Sequence, residues 1–313
     1  MYPTVLAPFT ALDGENLALY EWPLDAWGSE PGHTGQDQLP PRAVVLIVHG
    51  LGEHASRYQH VANQLLHWGF AVRAYDQRGH GESGGARGAL PSENALLDDL
   101  AEVIDDTRLR CMRLPCFNAG ASQAGDGADQ SLPLILLGHS MGGLLASRLV
   151  ALRIRPVDGL VMSSPALDAG LTRLQKLLLA VGPRLAPNLC VGNGLDVRYI
   201  SHDREVVKKY LADPLVHSKI SPRLGKFIAT AGPATLAAAA QWHTPTLLMY
   251  AGDDRLVNPA GSRTFADNAA HSAAVKPGTV TARCFDGYYH ELFNETDTAP
   301  VFDTLETWLN ARW

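Results

Sequence analysis

Cysteine is scarce: four in 313 residues, at positions 111, 116, 190 and 284. A disulfide framework needs a denser set, so free thiols and a reducing, cytoplasmic setting are expected. Cys111 and Cys116 have no second Cys or His pair at zinc-ligand spacing. The 12 histidines are scattered, and no metal is expected. No apolar run approaches the ~18 residues that would span a bilayer. The opening Met1-Tyr2-Pro3-Thr4-Val5 lacks the basic and long apolar regions of a secretory signal. Basic charge is also short. Against 32 Asp+Glu stand 26 Lys+Arg, a net charge of −6, which excludes a nucleic-acid footprint spread over the chain. With 19% charged and 46% hydrophobic residues, the composition is that of a globular chain and not a disordered one.

The chain does contain short, mostly β-branched apolar runs bounded by turn residues. They lie at 43–48, 70–75, 134–137, 160–162, 246–250 and 280–285. Near-continuous runs of this length predict strands buried on both faces, as in a parallel sheet. Helical periodicity separates them at 58–68, 94–112, 141–152 and 301–313. Strand–helix alternation predicts a doubly wound α/β sheet. The first 25 residues predict an antiparallel hairpin at the sheet edge, turning through Thr10 to Gly14. Stretches 27–41 and 118–131, rich in Gly, Pro, Gln, Ala and Asp, read as flexible surface loops. After Ser163 about 75 residues precede the next strand, where a crossover needs about a dozen. That stretch, 168–243, reads as an inserted helical cap on a core made of 1–167 and 244–313. It holds a leucine-rich amphipathic helix (Leu171, Leu174, Leu177, Leu178, Val181) that Pro183 is expected to stop, then helices near 205–211 and 237–240.

The chemistry centres on Gly138-His139-Ser140-Met141-Gly142-Gly143. This is a G-x-S-x-G directly after a strand and directly before a helix. The turn is tight, so the positions two either side of the serine must be very small, hence Gly138 and Gly142. Ser140 needs a general base, and the base needs an orienting acid. For this elbow the order is serine, acid, histidine. Asp254, before Arg255-Leu256-Val257, is the preferred acid. Asp253 and Asp168 are the alternatives. His290, before the last helix, is the preferred base, with His271 the weaker candidate. The oxyanion needs preorganised N–H donors. These are expected from the Met141 amide and from the Leu51 amide, in a loop turned by His49 and Gly50.

These residues resemble the monoacylglycerol lipase and lysophospholipase branch of the α/β-hydrolase serine esterases. The likeness spans nearly the whole chain. It rests on His49-Gly50-Leu51-Gly52-Glu53-His54-x-x-Arg57-Tyr58, Tyr75-Asp76-Gln77-Arg78-Gly79-His80-Gly81-Glu82-Ser83, the elbow, Asp254-Arg255-Leu256-Val257 and His290-Glu291. Asp213-Pro214-Leu215-Val216-His217 in the cap adds to it. The resemblance implies the α/β-hydrolase fold, a Ser140–Asp254–His290 triad, the Leu51 and Met141 oxyanion hole, and no cofactor. Glu53, His54 and Arg57 have two readings: a polar wall for a glycerol or phosphoglycerol head, or a local ion pair between Glu53 and Arg57 at i,i+4. The second is preferred. Arg78 and His80 are expected to fix loops. The cap helix either covers an acyl pocket or, with Arg173 and Lys176 on other faces, makes transient contact with a membrane or micelle. The expected activity is hydrolysis of a small-molecule or lipid monoacyl ester. The alternatives are a peptidase, thioesterase, C–C hydrolase or acyltransferase on the same frame, and a noncatalytic binder.

Overall fold

The computed structural model describes residues 3–22, 41–112, 132–170 and 173–313, with backbone alone at 112 and 173–178. Stretches 27–40 and 118–131, Cys116, and the side chains of Leu171, Arg173, Leu174, Lys176, Leu177 and Leu178 lie outside that description. In chain order the strands are β1 Thr4–Val5, β2 Phe9–Thr10, β3 Asn16–Leu17, β4 Leu19–Trp22, β5 Val44–Val48, β6 Ala71–Tyr75, β7 Leu134–His139, β8 Gly159–Ser163, β9 Val191–Gly192, β10 Lys219–Ile220, β11 Thr246–Ala251 and β12 Val280–Phe285. The helices are α1 Gln59–His67, α2 Ala95–Met112, α3 Met141–Leu152, α4 Arg173–Leu185, α5 Arg204–Ala212, α6 Pro222–Ala238, α7 Pro259–Ala270 and α8 Ala299–Asn310.

Eight of these strands form one sheet in the order β1-β4-β6-β5-β7-β8-β11-β12. From β6 to β12 every neighbouring pair is parallel, and β4 and β1 add antiparallel at the edge. The N-terminal hairpin turns where expected, β2 against β3, with Gly14 at φ 90°. The apolar runs are continuous because each strand feeds two cores. Val44, Leu46 and Val48 face α2 and α3, while Val45 and Ile47 face α1 and α8. In the central strands each pleat buries alternate side chains on opposite faces, so their runs are apolar almost throughout, whereas the edge strand β12 exposes Thr281, Ala282 and Arg283.

The stretch 168–243 leaves the sheet after β8 and returns at β11, its neighbour. It is not uniform. The part with β9, α5 and β10 stands over the carboxyl ends of the strands, and its residues line the cavity described below. Helix α6, by contrast, sends Leu224, Phe227 and Ala231 into the sheet's own core. Pro183 does not stop α4, which runs on to Leu185. Pro183 removes only the one N–H that would reach the Leu179 carbonyl, and the last turn still closes beyond it with Ala186 N–H donating to the Gly182 carbonyl at 2.8 Å. No helix among the described residues is long and apolar enough to cross a membrane.

Candidate active site

Ser140 sits between the end of β7 and the first residue of α3, with φ 51° and ψ −118°. A non-glycine residue holds such angles only where its surroundings fix them. Here the Ser140 amide donates to the Ser163 carbonyl, and the Ser140 carbonyl accepts from Ala166 N–H, both at 3.0 Å. The flanking glycines admit no side chain. A Cβ on Gly138 would stand 2.5 Å from the Gly142 carbonyl oxygen, and one on Gly142 would stand 2.1 Å from that of Val48.

The loops after β11 and β12 bring an acid and a base together. His290 Nδ1 lies 2.7 Å from Asp254 Oδ2, both side chains buried. Asp254 Oδ1 accepts from the amides of Leu256 and Val257 at 2.9 and 3.0 Å, which fixes the carboxylate's orientation. Burial disfavours the Asp254 anion, but His290 and these hydrogen bonds outweigh it and hold its pKa below the ordinary value. For His290, burial disfavours the cation, yet the Asp254 charge and hydrogen bond win and raise its pKa. With Nδ1 engaged, Nε2 is the nitrogen available to Ser140, which lines the same cavity. The alternatives lie elsewhere. Asp168 is held by Asn258 and the Gly170 amide. Asp253 donates its amide to the Tyr288 carbonyl. His271 closes the exposed end of α7 against the Asp267 carbonyl.

The loop after β5 presses against the elbow. A Cβ on Gly50 would meet Glu53 Oε1 at 2.8 Å and Ser140 Cβ at 3.2 Å. His49 Nε2 accepts from Gln77 N–H and Nδ1 donates to the Gly50 carbonyl, both at 2.8 Å, so the buried ring is held neutral, its pKa lowered mainly by burial. Among the described residues the Leu51 amide meets no acceptor. The Met141 amide opens α3, where a helix leaves its first N–H groups unpaired.

Glu53, His54 and Arg57 are occupied with protein partners. Glu53 Oε1 accepts from Gly50 N–H at 2.5 Å and from Tyr58 OH at 2.7 Å. Arg57 pairs with Glu53 Oε2 at 2.5 Å and grips Glu291 with two bonds of 2.8 Å. Burial works against the Glu53 anion, but Arg57 and the donors around it pull its pKa down to about 2. His54 bridges Asp213 Oδ2 at 2.8 Å and Ser56 Oγ at 2.7 Å. Arg78 is bound to Asp99 and Asp13, and His80 to the Arg78 carbonyl, as loop supports.

Ser140, His290, Gly50 and Leu51 form one wall of a cavity of about 230 Å³. Val197, Ile200, Leu211 and Val216, from the stretch 168–243, give a second wall apolar side chains, and Asn193, Asp213 and His217 add polar groups to it. Sequence reasoning assigned no role to His139, Tyr210, His217 or Glu291. His139, whose ring centroid lies 4.7 Å from that of His290, is kept neutral by burial, which pulls its pKa down to about 4. Glu291 was visible as the residue after His290, but its partner Arg57 is 234 positions away, beyond any local pattern. Among the described residues no group of three His, Cys, Asp or Glu is placed to hold a metal ion.

Comparison with known proteins gives a consistent set of relatives. The family model described as serine aminopeptidase, S33 matches residues 39–297. The chain is 35% identical over 274 residues to a monoacylglycerol lipase of Mycolicibacterium smegmatis, covering 86% of this chain and 88% of that one. It is 30% identical to the phospholipase YtpA of Bacillus subtilis over 267 residues, 84% of this chain and 93% of the relative. The crystal structure of the Paleococcus ferrophilus monoacylglycerol lipase superposes with a TM-score of 0.73 at 30% identity, covering 88% of this chain and 96% of that one.

Proposed function

We propose that this chain, which belongs to the serine aminopeptidase S33 family of α/β-hydrolases, is a carboxylic ester hydrolase acting on monoacylglycerol- or lysophospholipid-like monoacyl esters. The observation that carries the reading is the convergence of Ser140, His290 and the Leu51 loop on one cavity that Val197, Ile200, Leu211 and Val216 also line with apolar side chains. Ser140 attacks the ester carbonyl while His290 Nε2 takes its proton. Asp254 holds the His290 tautomer and stabilises the imidazolium. The Leu51 and Met141 amides bind the developing oxyanion. His290 then protonates the leaving alcohol, and water releases the acyl group by the same route.

The part of 168–243 that lines the cavity, from Asn193 to Ser218, acts as a cap over the acyl chain. Leu185, Leu189, Val191 and Leu211, all exposed within 168–243, support transient contact with a membrane or micelle holding the substrate. The thiols of Cys190 and Cys284 fit a reducing compartment, and we place the enzyme in the cytoplasm. Purified protein is tested on monoacylglycerols, lysophospholipids, p-nitrophenyl esters and aminoacyl-peptide substrates, alongside Ser140→Ala. Fastest turnover of a monoacyl ester, abolished in Ser140→Ala, is expected. Faster peptide cleavage, or ester turnover that survives in Ser140→Ala, overturns the reading.

A further inference from the structure

The loop bearing His290 is tied to the wall of the cavity that the stretch 168–243 supplies. Residues 199–202, between a short turn at Val197–Tyr199 and α5, run alongside residues 289–291. His290 N–H donates to the Tyr199 carbonyl at 3.4 Å, and Glu291 N–H to the Ile200 carbonyl at 2.8 Å. Ser201 Oγ donates to the Asn294 carbonyl at 2.7 Å. The remaining contacts converge on Glu295, whose side chain is 3% exposed. Its carboxylate accepts the Tyr289 amide at 2.7 Å, the Thr296 amide at 3.1 Å and two donors of His202, the ring Nδ1–H at 2.8 Å and the backbone N–H at 3.3 Å. The His202 ring also stacks on Tyr289, with centroids 3.6 Å apart and planes 18° apart.

A buried carboxylate is costly unless donors fill its lone pairs. Glu295 draws its donors from both sides. Tyr289 and Thr296 belong to the base loop, while His202 belongs to the wall, two residues from Ile200, which faces the cavity. Displacing the wall therefore removes a donor from the carboxylate that holds Tyr289, one peptide from His290.

We propose that His202 and Glu295 form a latch through which the seated wall sets the position of His290, so that both are positioning residues for acylation. The latch rests on the reading of Ser140 and His290 as nucleophile and base. With the wall seated, the base loop is fixed and His290 meets Ser140. With the wall displaced, the loop loses its anchor and the base drifts. A Glu295 that only stabilised its own loop would act the same with or without His202.

The test compares wild type, His202→Phe, Glu295→Gln and the double variant of the full chain. It measures the rate of labelling by a fluorophosphonate probe and the kinetics on p-nitrophenyl butyrate. His202→Phe keeps the stacking on Tyr289 and the backbone N–H, and removes only the ring donor, the shorter of the two contacts to Glu295, at a side chain that is 42% exposed. Each single change is expected to slow labelling about 10-fold and to lower kcat with KM held. The double variant is expected to be no slower than Glu295→Gln alone, because both act through one contact. Labelled wild type with an unchanged rate in His202→Phe, or additive effects in the double variant, overturns the latch alone. Unlabelled wild type overturns the assignment of Ser140, and the latch with it. If Glu295→Gln fails to fold, His202→Phe decides the matter by itself.

Discussion

Two opposed forces set the state of His290. Burial favours the neutral ring, and the Asp254 carboxylate 2.7 Å away favours the cation. The carboxylate wins, so the ring titrates above the ordinary histidine value of 6.5. A general base works only when neutral, so activity is lost as pH falls through that raised value. The acid limb of kcat/KM is therefore expected above pH 6.5. Asp254→Asn removes the pull and leaves the burial, so the limb moves down, while kcat falls by about 10³–10⁴. A pH profile that stays in place in Asp254→Asn contradicts the pairing. Arg57 makes a second residue-scale case. Its guanidinium serves two buried carboxylates, Glu53 on the oxyanion loop and Glu291 beside the base. Arg57→Ala strands both, and a loss of about 3–5 kcal/mol in urea unfolding is expected. A loss below about 1 kcal/mol would mark the pair as a surface-type bridge.

Backbones of different elements meet closely where β7 turns into α3. At Gly142 the elbow meets the end of β5 and the residue after it through backbone atoms, so no side chain there is available to yield. A Cβ at Gly142 would stand 2.1 Å from the Val48 carbonyl oxygen and 2.4 Å from that of His49. Gly142→Ala is therefore expected to lower Tm by at least about 5 °C and to abolish fluorophosphonate labelling. Gly192→Ala, where a Cβ meets nothing within 4 Å, is expected to change neither. Normal labelling and thermal melting in Gly142→Ala would show that the elbow can relax. The same junction explains why the sheet was legible in sequence. A strand buried on both faces writes an unbroken apolar run, and a strained serine turn demands small neighbours at fixed offsets. Both are local demands. The fate of Pro183 and the docking of α6 into the core depend on what packs against each helix, and neither leaves a local mark. The Arg57–Glu291 bond likewise joins residues that only the closed fold brings together.

At the scale of the whole molecule, the exposed apolar surface is unevenly placed. Of ten exposed large apolar residues among those described, six lie within 168–243, and Leu185, Leu189, Val191 and Leu211 among them are 79, 63, 54 and 65% exposed. Water gains nothing from wetting them, whereas a lipid surface would cover them while presenting substrate to the same side of the sheet. Inserting one leucine into an acyl layer stabilises association by about 1.5 kcal/mol, so removing two weakens it by about 100-fold. Leu185→Asp with Leu189→Asp is thus expected to cut hydrolysis of a long-chain monoacylglycerol held in phosphatidylcholine vesicles by at least 10-fold. Hydrolysis of dissolved p-nitrophenyl butyrate should hold, since neither leucine is among the residues lining the cavity. Co-flotation with the vesicles should fall in step. Equal losses on both substrates would place the leucines in the folding of the cap, and unchanged rates on both would leave the exposed patch without a role in substrate delivery.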